Sequence, residues 1–185
     1  MNRLLSICVL IAVFSCNKEY NKVPNDLDLP IISGEEAWQD IANNKVRVYY
    51  FLSPECPLCQ NYAVAMRELK NNFPQIEFVG IVPGKEYNSE QVRKYLIRFG
   101  LEFNTYFDPD FELSNALGAE ITPEAFLLDQ NGNVRYSGAI DNWAISLGQK
   151  RTVITERYLE DAIVATLENR EIKIKSTSAV GCFIQ

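Results

Sequence analysis

The chain contains no histidine among its 185 residues. That absence removes Cys-His and Ser-His catalysis. It also denies a zinc site its commonest nitrogen ligand. Basic charge is in short supply too: 18 lysines and arginines stand against 24 acids, for a net charge of −6. The acids are spread along the chain and no basic face emerges, so nucleic acid is excluded as a partner. The apolar run Leu4 to Phe14 spans 11 residues, well short of the roughly 20 that a membrane-spanning helix needs.

What that run does offer is the pattern of an export signal. Met1-Asn2-Arg3 supplies a positive start and the apolar stretch follows. It closes on Val13-Phe14-Ser15-Cys16, which resembles the lipobox of bacterial lipoproteins. The resemblance implies lipidation at Cys16, with Cys8 lost alongside residues 1–15. An ordinary cleaved signal with an incidental Cys16 is the alternative. Residues 16–32 read as a polar linker carrying Pro24 and Pro30, able to hold a domain off a membrane. Beyond it about 150 residues remain, enough for one core. They divide into a domain over 33–175 and a tail over 176–185.

The most informative stretch is Tyr49-Tyr50-Phe51-Leu52-Ser53-Pro54-Glu55-Cys56-Pro57-Leu58-Cys59. It opens as a buried strand, Lys45 to Leu52, and breaks at Ser53-Pro54. A helix over Pro57 to Phe73 follows, with Tyr62, Met66, Leu69 and Phe73 at helical spacing. Cys56 then stands at the first turn of that helix, and Pro57 occupies a position where a missing N–H costs nothing. Free amides and the helix dipole favour negative charge there, so Cys56 is expected as an exposed, nucleophilic thiolate. Cys59 lies one turn deeper, able to close a disulfide and eject a partner. Half a zinc site and two inert thiols are the competing readings.

Further elements follow in order. Ser33 is expected to cap a short helix through Trp38 and Ile41. A second strand covers Gln75 to Val82, parallel to the first by a right-handed crossover. A helix over Ser89 to Phe99 stops at Gly100, and a short strand covers Thr105 to Phe107. A helix over Asp110 to Leu117 stops at Gly118. Pro123 precedes an apolar strand, Glu124 to Asp129, and cannot donate to a sheet from that position. Asn131-Gly132 marks a hairpin into a return strand, Val134 to Ile140. A helix runs from Thr155 to Glu168, and 171–175 alternates like an edge strand. The tail ends in Val180-Gly181-Cys182-Phe183-Ile184-Gln185, apolar enough to dock.

From Ser33 onward this order resembles the thioredoxin superfamily, in its redoxin branch. More closely it looks like bacterial redoxin-like proteins, some linked to c-type haem domains. The shared elements are the Ser53 to Pro57 turn, Thr122 to Ala125, Tyr136 to Asp141, and Ala179 to Cys182. The resemblance implies an α/β fold with a central mixed sheet of four to five strands flanked by helices. It implies that Pro123 is cis, and that the Thr122-Pro123 loop lies against the active turn with Pro57 and pairs with an extended partner segment. It also includes Cys182, expected to fold back near Cys56 as a second resolving thiol or a relay.

Departures qualify the chemistry. Tyr50 replaces the buried acid of thioredoxin. Glu55 and Glu124 are expected near Cys56, where two carboxylates would raise its pKa. Ser53 stands where peroxiredoxins carry a threonine, Tyr49 where they carry a proline, and Arg135 or Arg151 is the candidate activating arginine. The principal reading is a thiol–disulfide oxidoreductase, lipid-anchored on the periplasmic side of the envelope. It would need no cofactor or metal and would exchange with cysteine-containing envelope proteins or a membrane electron donor. A thiol peroxidase resolving through Cys59 or Cys182 is one alternative. A Cu(I) carrier using Cys56, Cys59 and Cys182 as soft ligands is the other.

Overall fold

The computed structural model describes residues 20, 23–24, 26–38 and 45–185. The expected export signal and Cys16 lie outside the described residues, as does the expected helix beyond Trp38 up to residue 44.

Six strands form the central sheet, one more than the upper expectation. They are β1 (Ile31–Ser33), β2 (Arg47–Phe51), β3 (Glu77–Pro83), β4 (Asn104–Asp108), β6 (Glu124–Leu128) and β7 (Val134–Gly138), in the order β1-β4-β3-β2-β6-β7. β2, β3 and β4 are parallel, while β1, β6 and β7 run antiparallel to their neighbours. The helices that lie wholly among the described residues are α1 (Pro57–Asn72), α2 (Ser89–Phe99), α3 (Glu112–Leu117) and α4 (Tyr158–Leu167). Two small pairs complete the fold: β5 (Ile121–Thr122) with β10 (Cys182–Phe183), and β8 (Ala144–Ser146) with β9 (Gln149–Lys150).

β2 is central because both its faces are apolar. Val48 and Tyr50 point into one core with Tyr62, Met66, Tyr95 and Ile163; Tyr49 and Phe51 point into the other with Leu113, Leu117 and Phe126. The side chains alternate with the pleat, and each large one buried contributes about 1.5–3 kcal/mol. In the antiparallel register Phe51 lies opposite Glu124. That register brings the residues just before β6 beside the residues just after β2, which is where the cysteines stand.

Three expectations are corrected. Ser33 belongs to β1 and does not cap a helix. The supposed linker is packed from well before residue 33: Leu27 and Leu29 are buried, and the Tyr20 ring meets Phe126 edge-on. Leu27-Asp28-Leu29 alternates, and a two-residue period of that kind suffices to seat both leucines on one face. The expected edge strand over 171–175 is replaced by one bridge, Ser137 to Ser176, flanked by Ser137 N to Lys175 O and Thr177 N to Ser137 O bonds of 3.1 and 3.0 Å. Gly138, at φ 125°, permits this crossing, since a Cβ there would stand inside Thr177.

α3 begins two residues later than expected. The Asp108 carboxylate accepts from Leu113 N, Ser114 N and Ser114 Oγ at 3.2, 2.8 and 2.6 Å, so it serves the first-turn amides. Phe111, at φ 58°, lies outside helical space just before it. α2 stops at Gly100, as the sequence predicts, and its start carries a reciprocal Asn88–Gln91 capping box that the structure adds.

Candidate functional site

Cys56 is the residue at which chain direction changes. It has extended backbone (φ −69°, ψ 117°) and immediately precedes Pro57, the first residue of α1. The turn that presents it is held by Cys56 N to Ser53 O at 3.1 Å and Gln60 Nε2 to Pro54 O at 2.9 Å. The Ser53 hydroxyl lies 3.0 Å from the Tyr87 hydroxyl. Cys59, on the inner face of the first turn of α1, is fully buried. Its sulfur accepts from Ser53 N at 3.4 Å, and Tyr95 Oη donates to its carbonyl at 3.2 Å.

On the opposite wall the Thr122–Pro123 peptide bond is cis. Glu124, buried below the loop, accepts from Glu120 N and Ile121 N at 3.0 and 3.3 Å through Oε2. The carboxylate therefore shapes the loop. Cys56 Sγ stands 3.1 Å from Thr122 O. Cys182 Sγ stands 2.7 Å from Cys56 Sγ, so Cys56, Cys59, Thr122 and Cys182 converge on one point.

The electrostatics favour charge on one sulfur of the three. Thr122 O favours a neutral Cys56 that donates to it. Against that, a hydrogen bond from Cys59 is the largest influence. Burial opposes it, and the Cys182 thiol and the Cys59 and Leu58 amides add to it. The donors prevail and hold Cys56 down to about 5. Cys59 is pushed well above the ordinary thiol range, first by burial and then by giving its hydrogen bond to Cys56. Cys182 is raised to about 11 by the same two causes.

Two expectations about Cys56 are corrected. It is not exposed: only 2% of its surface meets solvent, because the tail and the cis-proline loop lie over it. Its pKa is not raised by carboxylates either. Glu55 is solvent-exposed, and Glu124 spends its oxygen on backbone amides. Tyr50, standing where an acid was missing, packs its ring on Phe78 and Phe103, and its buried hydroxyl has no hydrogen-bond partner among the described residues.

The candidate arginines are engaged elsewhere: Arg135 faces Asp129 at 3.9 Å, and Arg151 donates to Asn142 O at 2.9 Å. Among the described residues no group of three or more His, Cys, Asp or Glu is arranged to hold a metal ion. Tyr87, Tyr95 and Gln60 were not singled out in the sequence. Their positions on a helical face or in a loop carry no signal that separates a site contact from ordinary packing.

Comparison with known proteins agrees with the architecture. The model of the AhpC/TSA family matches residues 22–137. An uncharacterised conserved protein from Geobacillus kaustophilus superposes with a TM-score of 0.76 at 21% identity, covering 90% of each chain. A hypothetical protein from Sinorhizobium meliloti 1021 gives the same score and identity, over 92% of this chain and 95% of its own. A secreted Mycobacterium tuberculosis disulfide oxidoreductase homologous to E. coli DsbE scores 0.52 at 19% identity, over 60% of this chain and 81% of its own. No curated protein matches the sequence. At these identities the likeness establishes the fold, which is thioredoxin-like.

Proposed function

This chain belongs to the AhpC/TSA family, and from that premise we propose that it is a thiol–disulfide oxidoreductase whose redox centre is Cys56-Pro57-Leu58-Cys59. The observation that carries the reading is a sulfur held down to about 5 at a helix start, 3.1 Å from the carbonyl that precedes a cis proline.

The exchange balances as follows. The Cys56 thiolate attacks one sulfur of a partner disulfide; that S–S bond breaks, and the other partner sulfur leaves as a thiolate and takes a proton. Cys59 then loses its proton and attacks Cys56 Sγ. The mixed disulfide breaks and the second partner sulfur departs. The partner gains two electrons and two protons, and Cys56–Cys59 becomes a disulfide that an external dithiol resets. Burial keeps Cys59 protonated until that second step, so it does not compete for the partner's disulfide. Thr122 and Pro123 hold the partner's backbone, and Cys182 is a second thiol able to resolve Cys56.

The rest of the chain belongs to the same reading: a signal over 1–15, a lipidated Cys16, and a domain, packed from well before residue 33, working on the periplasmic side of the envelope. Among the described residues no helix is long and apolar enough to cross a membrane. The partners are cysteine-containing envelope proteins or a membrane electron donor.

Trapping tests the centre. With the second resolving thiol also removed, Cys59→Ser/Cys182→Ser should accumulate a mixed disulfide with a disulfide substrate such as insulin, and Cys56→Ser should accumulate none. If the double variant traps as little as Cys56→Ser, the reading is wrong. A thiol peroxidase is the second reading, favoured by the 2.7 Å approach of a resolving thiol to a low-pKa sulfur. Peroxide consumption that survives Cys59→Ser and fails with Cys182→Ser would select it.

A further inference from the structure

The edge at Ile121–Thr122 is already taken. β10 pairs with it antiparallel, Cys182 opposite Thr122 and Phe183 opposite Ile121. The pairing extends through Ile184 N to Glu120 O at 2.9 Å, and Thr122 Oγ1 donates to Cys182 O at 3.4 Å. These are the bonds that a strand added to an exposed edge would make. The segment also carries a sulfur to 2.7 Å from Cys56 and covers it.

Fit at this edge is close. A Cβ on Gly181 would stand inside the Thr122 carbonyl and 2.8 Å from Ile121 Cγ2. Val180 packs on the core beneath α1 and Ile184 on the core across the sheet, so the segment wraps the sheet's end between two apolar contacts. Phe183 faces solvent. The pairing itself is only two residues long, and such a short strand is weak without further support.

We propose that residues 180–185 are a tethered occupant of the partner site, lying in the place and chemistry of a substrate strand, and that a partner's cysteine reaches Cys56 only when they leave. This rests on the oxidoreductase reading and deepens it. The occupant defines the partner class: an extended protein segment whose cysteine sits opposite Thr122, with glycine immediately before it and apolar residues on either side.

Two variants separate the possibilities: one ending after Ala179, and Gly181→Val, which keeps the whole chain but cannot seat the segment. The first readout is the rate of Cys56 alkylation by iodoacetamide, followed by peptide mass spectrometry. The second is the rate of reduction of a disulfide-linked peptide, Ala-Val-Gly-Cys-Phe-Ile, compared with the same peptide carrying valine for glycine. Both variants should alkylate about tenfold faster or more, equivalent to about 1.4 kcal/mol of local closure. Peptide reduction should accelerate similarly, with the glycine peptide preferred. Equal rates of alkylation and reduction with and without a seated segment would overturn the proposal. Faster alkylation with no reduction of either peptide by any form would instead overturn the oxidoreductase reading.

Discussion

Cys59 and Cys182 both address Cys56, but from regions built in opposite ways. Cys59 is on a sixteen-residue helix, fully buried, with its sulfur and its carbonyl each hydrogen-bonded. Cys182 is on a two-residue strand, partly exposed, in a segment held by a few bonds along one short edge. The first thiol is part of the scaffold and is always in place. The second is present only while its segment is seated. A sulfur flanked this way has a fixed ground state and a removable cover.

The largest expected effect removes the centre that both thiols face. Cys56→Ser should lower disulfide reduction by about a thousandfold or more, as loss of a nucleophile does. An insulin-type assay reads this directly, and activity near wild type would place the chemistry elsewhere. Next comes the scaffold. Phe126, fully buried between Phe51 and Tyr20, should cost about 3–5 kcal/mol as Phe126→Ala. Ile184→Ala, on the seated segment, should cost under about 1 kcal/mol globally. Chemical denaturation measures both, and equal losses would erase the contrast between the two regions.

The titration of Cys56 sharpens it further. The midpoint, read by ultraviolet thiolate absorbance, should be about 5 in the intact protein. It should rise more with Cys59→Ala than with Cys182→Ala, because the Cys59 hydrogen bond is the larger influence. The reverse ranking would make the removable thiol the dominant one. The linked effect on stability has a definite sign. The folded pKa lies below the ordinary thiol value of 9.0, so the contribution is full above about 9 and is lost as pH falls through about 5. Cys182 acts oppositely, costing stability as pH rises from 9.0 through about 11. The difference in denaturation midpoint between wild type and Cys56→Ser should therefore shrink between pH 9 and 5, and a constant difference would contradict the low folded pKa.

Much of the scaffold was legible because its signals are local. The apolar run of β2, the Asn131-Gly132 turn and the stop at Gly100 each act within a few residues. Glu124 was correctly placed near the site, yet its effect was misread: whether a carboxylate faces a sulfur or a pair of amides depends on loop geometry, not on spacing. The burial of Cys56 had no local signal at all, since its cover comes from a residue 126 positions away. The tail's return was expected on its apolar character. Its seat on the Ile121–Thr122 edge emerges only when the sheet's register places that edge beside the α1 turn. Ile172 and Ile174 alternate as a strand should, but only Ile172 is buried, and a single bridge at Ser176 replaces the ladder.

The crossing at Gly138 fixes Thr177 against the sheet, five residues before Cys182. Five residues reach at most about 18 Å when fully extended. A leash that short keeps the departing strand at an effective concentration on the order of millimolar. A visiting chain must match that figure in solution, or bring binding energy from contacts elsewhere on the surface, before it can hold the vacated edge.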